Sequence, residues 1–303
     1  MLIATLFALF FLSYQYKTTR VPINIWSLSF IFSLLIIYAT GIIDDLIGVG
    51  AKIKFTTQII AATILPLSGL YINNLYGLFG IYDIPFWFGV PLTIFVIVFI
   101  DNSINLIDGI DGLSAGLSFI ALNGFLYYFL REGLIVYGIL IGALMGVLLA
   151  FSYFNIFGKV DSKKIFMGDS GSLTLGFILG FAFVKYSMYN PTIGLFDATR
   201  MPTVYTLLIV PVFDTARVIL LRIHLQAPIF DADKNHIHHK LMQLGLSQHR
   251  SLIVILTLAI FYILINNILF SIIGFTGIVL IDIAIYTLFH CTLNYYRIHH
   301  HTR

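Results

Sequence analysis

The sequence predicts an all-α polytopic integral membrane protein with about ten transmembrane helices and an active site in its cytoplasmic loops. Three observations predict it. First, only 10% of the 303 residues are charged and 59% are apolar types, whereas a soluble domain carries about a quarter charged residues. Second, the mean hydropathy is +0.96, with room for about ten spans at ~20 apolar residues per crossing. Third, the apolar runs are continuous rather than alternating, which argues against a transmembrane β-barrel. These features exclude a soluble globular domain, a disordered chain and a basic-patch nucleic-acid binder. A formal charge of +3 calls for no polyanionic partner.

The runs fall at 1–14, 24–43, 56–72, 86–100, 113–130, 133–154, 172–188, 202–221, 252–272 and 273–293. Run 1–14 lacks the basic n-region and small-residue cleavage site of a secretory signal, and is read as a short, incomplete transmembrane helix. The last two runs are separated by a turn at Ser271 to Gly274. Cys291, the single cysteine, excludes an internal disulfide and a multi-cysteine metal site. It lies in an apolar run and is expected to be an inert core thiol. Twenty-eight Phe and 17 Tyr supply rings for the lipid–water interfaces.

Orientation follows from Lys and Arg. Twelve fall on the side of loops 44–55, 101–112, 155–171 and 222–251 and the C-terminus, against Lys17, Arg20, Arg131, Lys185 and Arg200 on the other. This places those loops in the cytoplasm. The acids show the same bias: Asp44, Asp45, Asp101, Asp108, Asp111, Asp161, Asp169, Asp214, Asp231 and Asp233 lie on or near that side. Asp contributes little to topology, so a cation or phosphate site is the leading reason for the crowding.

Four polar clusters carry the chemistry. In the first, Asp44 and Asp45 end an apolar helix and face Lys52 and Lys54 a short loop later. Acids at a helix C-terminus oppose the macrodipole. Such a pair can hold Mg²⁺ through water or keep one member as a base, or it is a loop neutralised by its own lysines. The second is Asp101-Asn102-Ser-Ile-Asn105-Leu-Ile-Asp108-Gly109-Ile-Asp111-Gly112. Asp101, Asn105 and Asp108 share one helix face, and Gly109 and Gly112 break that helix and let backbone approach a ligand. Polar density at the end of a span is a functional hypothesis by default.

The third cluster is Lys163-Lys164-Ile-Phe166-Met167-Gly168-Asp169-Ser170-Gly171-Ser172. It suits a tight turn into a helix N-terminus, where free N–H groups attract phosphate oxygens; a simple N-cap is the alternative. No P-loop pattern is present. The fourth runs from Arg222 to Arg250 and holds Asp231, Asp233, Lys234, His236, His238, His239 and Lys240. With no Cys and no H-e-x-x-h pattern beside them, these histidines suit phosphate or nucleotide better than zinc. Outside the clusters, Asp214 and Arg217 are expected to form an ion pair. Asp282 is expected to hydrogen-bond between helices, to Asn266 or Asn267.

Hard oxygen ligands, lysines and imidazoles on one membrane face point to Mg²⁺-dependent phosphoryl chemistry, with a lipid as one substrate. The motifs Asp44-Asp45, Asn102-x-x-Asn105-x-x-Asp108-Gly109-x-Asp111-Gly112-Leu113, Phe166-Met167-Gly168-Asp169-Ser170-Gly171-Ser172 and His236-Ile237-His238-His239 occur in one order over about 24 to 250. In this the sequence resembles the polyprenyl-phosphate N-acetylhexosamine-1-phosphate transferases, glycosyltransferase family 4. The His-x-His-His form is similar to the undecaprenyl-phosphate N-acetylglucosamine-1-phosphate transferase branch. It differs from the muramoyl-pentapeptide branch, which has three consecutive histidines followed by an acid.

The resemblance implies one multi-pass transferase domain over 1–303 in the bacterial inner membrane. It implies transfer of N-acetylhexosamine-1-phosphate from a UDP-sugar to undecaprenyl phosphate with release of UMP. That reaction is the first membrane step of a cell-envelope polysaccharide such as an O-antigen. It implies Mg²⁺, or Mn²⁺, on Asn105 and Asp169. It implies catalytic roles among Asp44, Asp45, Asp108, Asp111, His236, His238 and His239, and substrate binding by Lys52, Lys54, Asn102, Asn155, Phe166 and Gly168. A homodimer is left open. Family members begin with a further helix and a basic segment containing Pro and Gly-Gly, so Met1 is expected to fall within the family's second helix. The rival from another class is a cation- or proton-coupled transporter with Asp214 and Asp282 as its relay. A second enzymatic rival, a CDP-alcohol phosphatidyltransferase, lacks the Ala-Arg expected after the first Asp-Gly.

Overall fold

The structure is a computed structural model that describes residues 25–158, 163–189, 197–228 and 234–300, with side chains to 297. Run 1–14 and the residues Lys17, Arg20, Lys159, Asp161, Asp231 and Asp233 lie outside the described residues. The other nine apolar runs coincide with helices. In chain order these are α1 (Ile25–Ile47), α2 (Ala51–Leu67), α3 (Phe86–Ile107), α4 (Leu113–Arg131), α5 (Ile135–Phe157) and α6 (Gly168–Ser187). There follow α7 (Arg200–Leu207), α8 (Ile209–His224), α9 (Ile237–Gln243), α10 (Gln248–Leu269) and α11 (Phe275–His300).

Among the described residues, six helices are long and apolar enough to cross a membrane, or seven if the α7–α8 pair, bent by 71° at Leu208, is one span. The expected ten is therefore a count of apolar runs, and not every run meets that test. Helix α2 has 17 residues and includes Lys52, Lys54 and Pro66. Helix α6 is buried without a break from Ser172 to Ser187. It packs between α1 and α3 and touches protein on all sides, and it mixes large rings such as Phe177 and Phe181 with glycines and hydroxyl residues rather than being uniformly apolar.

The outer helices show the opposite pattern. Phe32, Phe95, Leu149, Ile253, Leu264 and Leu288 stand exposed on α1, α3, α5, α10 and α11. A soluble monomer does not tolerate such area, whereas a lipid-facing belt requires it. Cys291 belongs to this belt. It was expected in the core, but it is exposed on α11, because apolarity in a membrane helix does not separate core from lipid-facing positions.

Strands β1 (Asn74–Leu78) and β2 (Ile81–Asp83) form an antiparallel hairpin between α2 and α3. Its turn, with Phe79 and Gly80 at φ 51° and 77°, is tied to α11 by a bond from the Phe79 amide to Thr276 Oγ1 at 2.6 Å. The Arg200–Glu132 ion pair lies at this same end. The four polar clusters gather at the opposite end, because successive helices run up and down and each cluster sits at a helix terminus.

Candidate active site

The site end is built on one trans-acting cap. Asp44 and Asp45 occupy the last turn of α1, where the helix dipole opposes them. Asp45 escapes this by reaching the start of α6. Its Oδ1 accepts the Asp169 amide at 2.7 Å and its Oδ2 the Ser170 amide at 3.0 Å. Thus the carboxylate sits on the positive end of another helix, where charge is favourable. The close approach needs glycine on both sides. A Cβ at Gly168, whose φ is +63°, would lie 2.8 Å from Asp45 Oδ2, and one at Gly41 would lie 2.8 Å from Ser170 N. The amides expected to be open for phosphate are therefore occupied.

Asp44 accepts the Val49 amide at 2.6 Å and contacts Lys54 Nζ at 2.5 Å. Lys54 also contacts Asp169 Oδ1 at 3.2 Å. The same oxygen accepts Asn105 Nδ2 at 2.6 Å, and that nitrogen is 2.8 Å from Ser172 Oγ. So Asp44, Lys54, Asp169 and Asn105, from three separated motifs, form one connected cluster. Lys52 is exposed.

Beyond this cluster opens a cavity of about 540 Å³. Asn105, Asp108, Asp111, Lys164, Phe166 and Asp169 supply its chemistry, and Gly109, Gly168 and Asn155 shape its wall. The ring of Phe166 is 71% exposed, with Lys164 Nζ 5.5 Å from its centroid. Lys164 is held by Asp111 at 2.6 Å. Asp108 caps the end of α3, and among the described residues its carboxylate has no hydrogen-bond or ion-pair partner. Burial, then repulsion from Asp169 and Asp111, pushes Asp108 up to about 7.

No set of three or more His, Cys, Asp or Glu side chains converges to hold a metal ion among the described residues. The crowded carboxylates do suit a cation that takes most of its ligands from bound phosphate and water, as Mg²⁺ commonly does.

Other expected residues tie parts of the site together. Asn155 accepts the Gly112 amide at 2.6 Å and donates to the Ile165 carbonyl at 2.8 Å. It ties the Asp108–Gly112 loop to the Phe166 segment, and both ends of its amide are used. Asn102 lies one turn deeper than Asn105 and donates to Gln58 Oε1 at 2.9 Å, and Gln58 donates to the buried Asp101 at 2.9 Å. Neither Asn102 nor Asp101 lines the cavity.

The histidines sit behind the cavity wall. The His238 ring packs on Gly109, where a Cβ would lie 2.6 Å from Cε1, and stacks on His236 at 5.9 Å with a 6° tilt. Its tilted contact with His239 is 4.1 Å. Burial, then the neighbouring His239 and His236, holds His238 down to about 3. Asp214 forms the expected pair with Arg217 at 2.8 Å but also contacts His236 Nδ1 at 2.8 Å. Asp282 accepts from Asn266 at 2.8 Å, the expected interhelical bond. Gln248, at the start of α10, lines the cavity. Sequence reasoning missed it, because no charge or motif marks a single amide at a helix start.

The family model described as glycosyl transferase family 4 matches residues 27–187. A probable undecaprenyl-phosphate N-acetylglucosaminyl 1-phosphate transferase of Bacillus subtilis is 37% identical over 73% of this chain and 59% of its own length. A decaprenyl-phosphate N-acetylglucosaminephosphotransferase of Mycolicibacterium smegmatis is 32% identical over 73% and 57%. An undecaprenyl-phosphate alpha-N-acetylglucosaminyl 1-phosphate transferase of Escherichia coli is 30% identical over 72% and 59%. The chain thus spans less than three fifths of the length of these relatives.

Proposed function

The chain belongs to glycosyl transferase family 4, and on that premise we propose that it transfers N-acetylglucosamine-1-phosphate from its UDP derivative to undecaprenyl phosphate. The observation that carries this reading is the cavity itself. It joins an exposed aromatic ring, a held lysine and three carboxylates at the end of a helical bundle with a lipid-facing belt. The Lys and Arg bias supports a cytoplasmic placement of that end, in a bacterial inner membrane.

Phe166 stacks the uracil, as exposed aromatic rings do for bases. Lys164, steadied by Asp111, meets the donor's phosphates. Asp169 and Asn105, with Asp108 beside them, would hold Mg²⁺, which when bound neutralises charge on the donor diphosphate. Lys54, fixed between Asp44 and Asp169, receives the acceptor phosphate. An oxygen of that phosphate attacks the sugar-bearing phosphorus, a new P–O–P bond forms, and the bond to UMP breaks. A phosphate monoester has a second pKa near ~6, so the acceptor is already mostly dianionic and needs no strong base. Asp44 therefore acts by placing Lys54 and, through it, the acceptor.

Membranes containing the protein should convert labelled UDP-N-acetylglucosamine and undecaprenyl phosphate into an organic-extractable product when Mg²⁺ is present. Asp169→Ala should abolish this without loss of folded protein. Mass spectrometry of the product from a panel of UDP-sugars identifies the donor, and no lipid-linked sugar from any of them would overturn the assignment. Direct attack fails if donor alone releases UMP and leaves a phospho-aspartyl enzyme.

A further inference from the structure

Asp214 lies on α8, outside the cavity and outside the four motifs, yet its buried carboxylate gathers several donors. Arg217 Nη2 reaches Oδ1 at 2.8 Å and Tyr286 OH reaches it at 3.3 Å. The Ile237 amide lies 3.1 and 3.2 Å from the two oxygens. His236 Nδ1 lies 2.8 Å from Oδ2. The side chain is fully buried. A carboxylate amid such donors stays ionised and can only accept, so His236 Nδ1 carries the proton.

In the neutral ring that assignment leaves the other nitrogen, Nε2, as an acceptor. His236 Nε2 has no partner among the described residues, and unlike both nitrogens of His238 it is not sealed from solvent. It is the polar atom of that ring left without a protein partner among the described residues, on a side chain that is 6% exposed. The ring lies parallel to His238 at 5.9 Å, and the Nε2 end of His238 lies against Gly109 of the cavity wall. Charged and titratable neighbours come from three elements: Arg217 on α8, His238, His239 and Lys240 on α9, and Tyr286 and His290 on α11.

We propose that Asp214 is a positioning residue that locks His236 in the Nδ1–H tautomer. It thereby leaves Nε2 as an acceptor and holds the imidazole stack against the Asp108–Gly109 loop of the cavity wall. This is the arrangement in which a buried acid orients an imidazole without itself reacting. The role in turnover rests on the transferase reading above, whereas the tautomer does not.

The test therefore has two arms. In the first, ¹⁵N-histidine NMR of the purified protein reads the tautomer with no substrate present. The His236 resonance, identified by its loss in His236→Asn, should report Nδ1–H in the parent protein. It should become a tautomer mixture in Asp214→Asn. In the second, kcat and KM are measured for Asp214→Asn, Asp214→Glu, His236→Asn and the Asp214→Asn/His236→Asn double variant. His236→Asn keeps a donor toward Asp214 and removes Nε2.

Asp214→Asn should lower kcat about 100-fold with little change in acceptor KM, and Asp214→Glu should recover part of it. In the His236→Asn background the same change should cost less than about threefold, since both act through one atom. Equal losses in both backgrounds, or a proton on Nε2 in the parent protein, alone or together with one on Nδ1, would overturn the proposal. If the parent protein transfers no sugar phosphate, the transferase reading fails, and the NMR arm still decides the tautomer.

Discussion

Asp45 gives the sharpest test of how the site is held together. Its carboxylate caps α6 from a different helix, accepting two amides at 2.7 and 3.0 Å. Replacing it with alanine leaves both amides without that partner and removes a negative charge from the positive helix end. A lost N-cap costs about 1 kcal/mol, and the lost charge adds about 0.5 kcal/mol at a partly exposed position. The sum is about 1.5 kcal/mol, since water replaces part of the bonding. At about 2–4 °C per kcal/mol for a domain of this order of size, the melting midpoint in detergent should fall by about 3–6 °C. Asp45→Asn keeps one acceptor oxygen and should lose about half as much. Activity should follow the cap, because Asp169 is the residue whose amide is held. One kcal/mol of displacement is worth less than a tenfold change in rate, so Asp45→Asn should retain activity within about tenfold. The assay is a paired measurement of melting midpoint and initial rate on the same preparation. An Asp45→Asn protein with an unchanged midpoint and a rate reduced by more than about a thousandfold would refute the capping role and place Asp45 in the chemistry.

Three further outcomes follow from the geometry. Phe166→Ala should raise the KM for the UDP-sugar about 5- to 150-fold, the ~1–3 kcal/mol of a lost base stack, while Phe166→Trp retains the parent value and the acceptor KM stays fixed. His238 is held down to about 3 by burial and by His239 and His236, against about 6.5 unfolded. Its neutral form is therefore favoured in the folded state, and stability falls as pH drops from about 6.5 toward 3, by about 1.4 kcal/mol per unit; thermal melts across that range should show a shallower slope for His238→Phe. Gly41→Ala drives a Cβ into the backbone at Ser170 and should lower the melting midpoint and the activity together. Gly142→Ala, with open space around it, should change neither.

The fold class was legible because lipid selects a residue type over whole turns of helix, and nine of the ten runs rise above any noise. The motifs were legible because oxygen-bearing side chains are conspicuous in so apolar a chain. What each motif residue does was far less so. Asp45 and Asp169 are 124 positions apart in the chain, and nothing local in Gly-Ile-Ile-Asp-Asp says that one acid pairs with Lys54 while its neighbour crosses to another helix. Asn155 and Asn102 carry the same side chain as Asn105, yet one ties two loops, one is bonded to Gln58 below the cavity, and one faces it. Their roles are set by which helix happens to lie opposite, a tertiary property. Cys291 went to the lipid side for the related reason that core and lipid positions share one alphabet.

Helix α6 explains how such dispersed residues come to act at one place. It is less uniformly apolar than its neighbours because protein surrounds it, and that freedom is used for small residues at contacts. A Cβ at Gly176 would lie 2.7 Å from Asp101 Cα, and one at Gly180 would lie 3.2 Å from Ile97 Cα. Those two glycines let α3 and α6 touch backbone to backbone, one turn apart on each helix. Backbone contact fixes the axial register of the pair far more tightly than side chains with several rotamers would. With register fixed there, Asn105 on α3 must stand opposite Asp169 and Ser172 on α6, as the 2.6 and 2.8 Å bonds show. Gly41 does the same for α1, and so brings Asp44, Asp45 and the loop to Lys54 onto the other side of Asp169. The spacing of the acids around the cavity is thus set by glycines that carry no charge and no chemistry of their own, Gly41 directly against Ser170 and Gly176 and Gly180 about two to three turns further along α6.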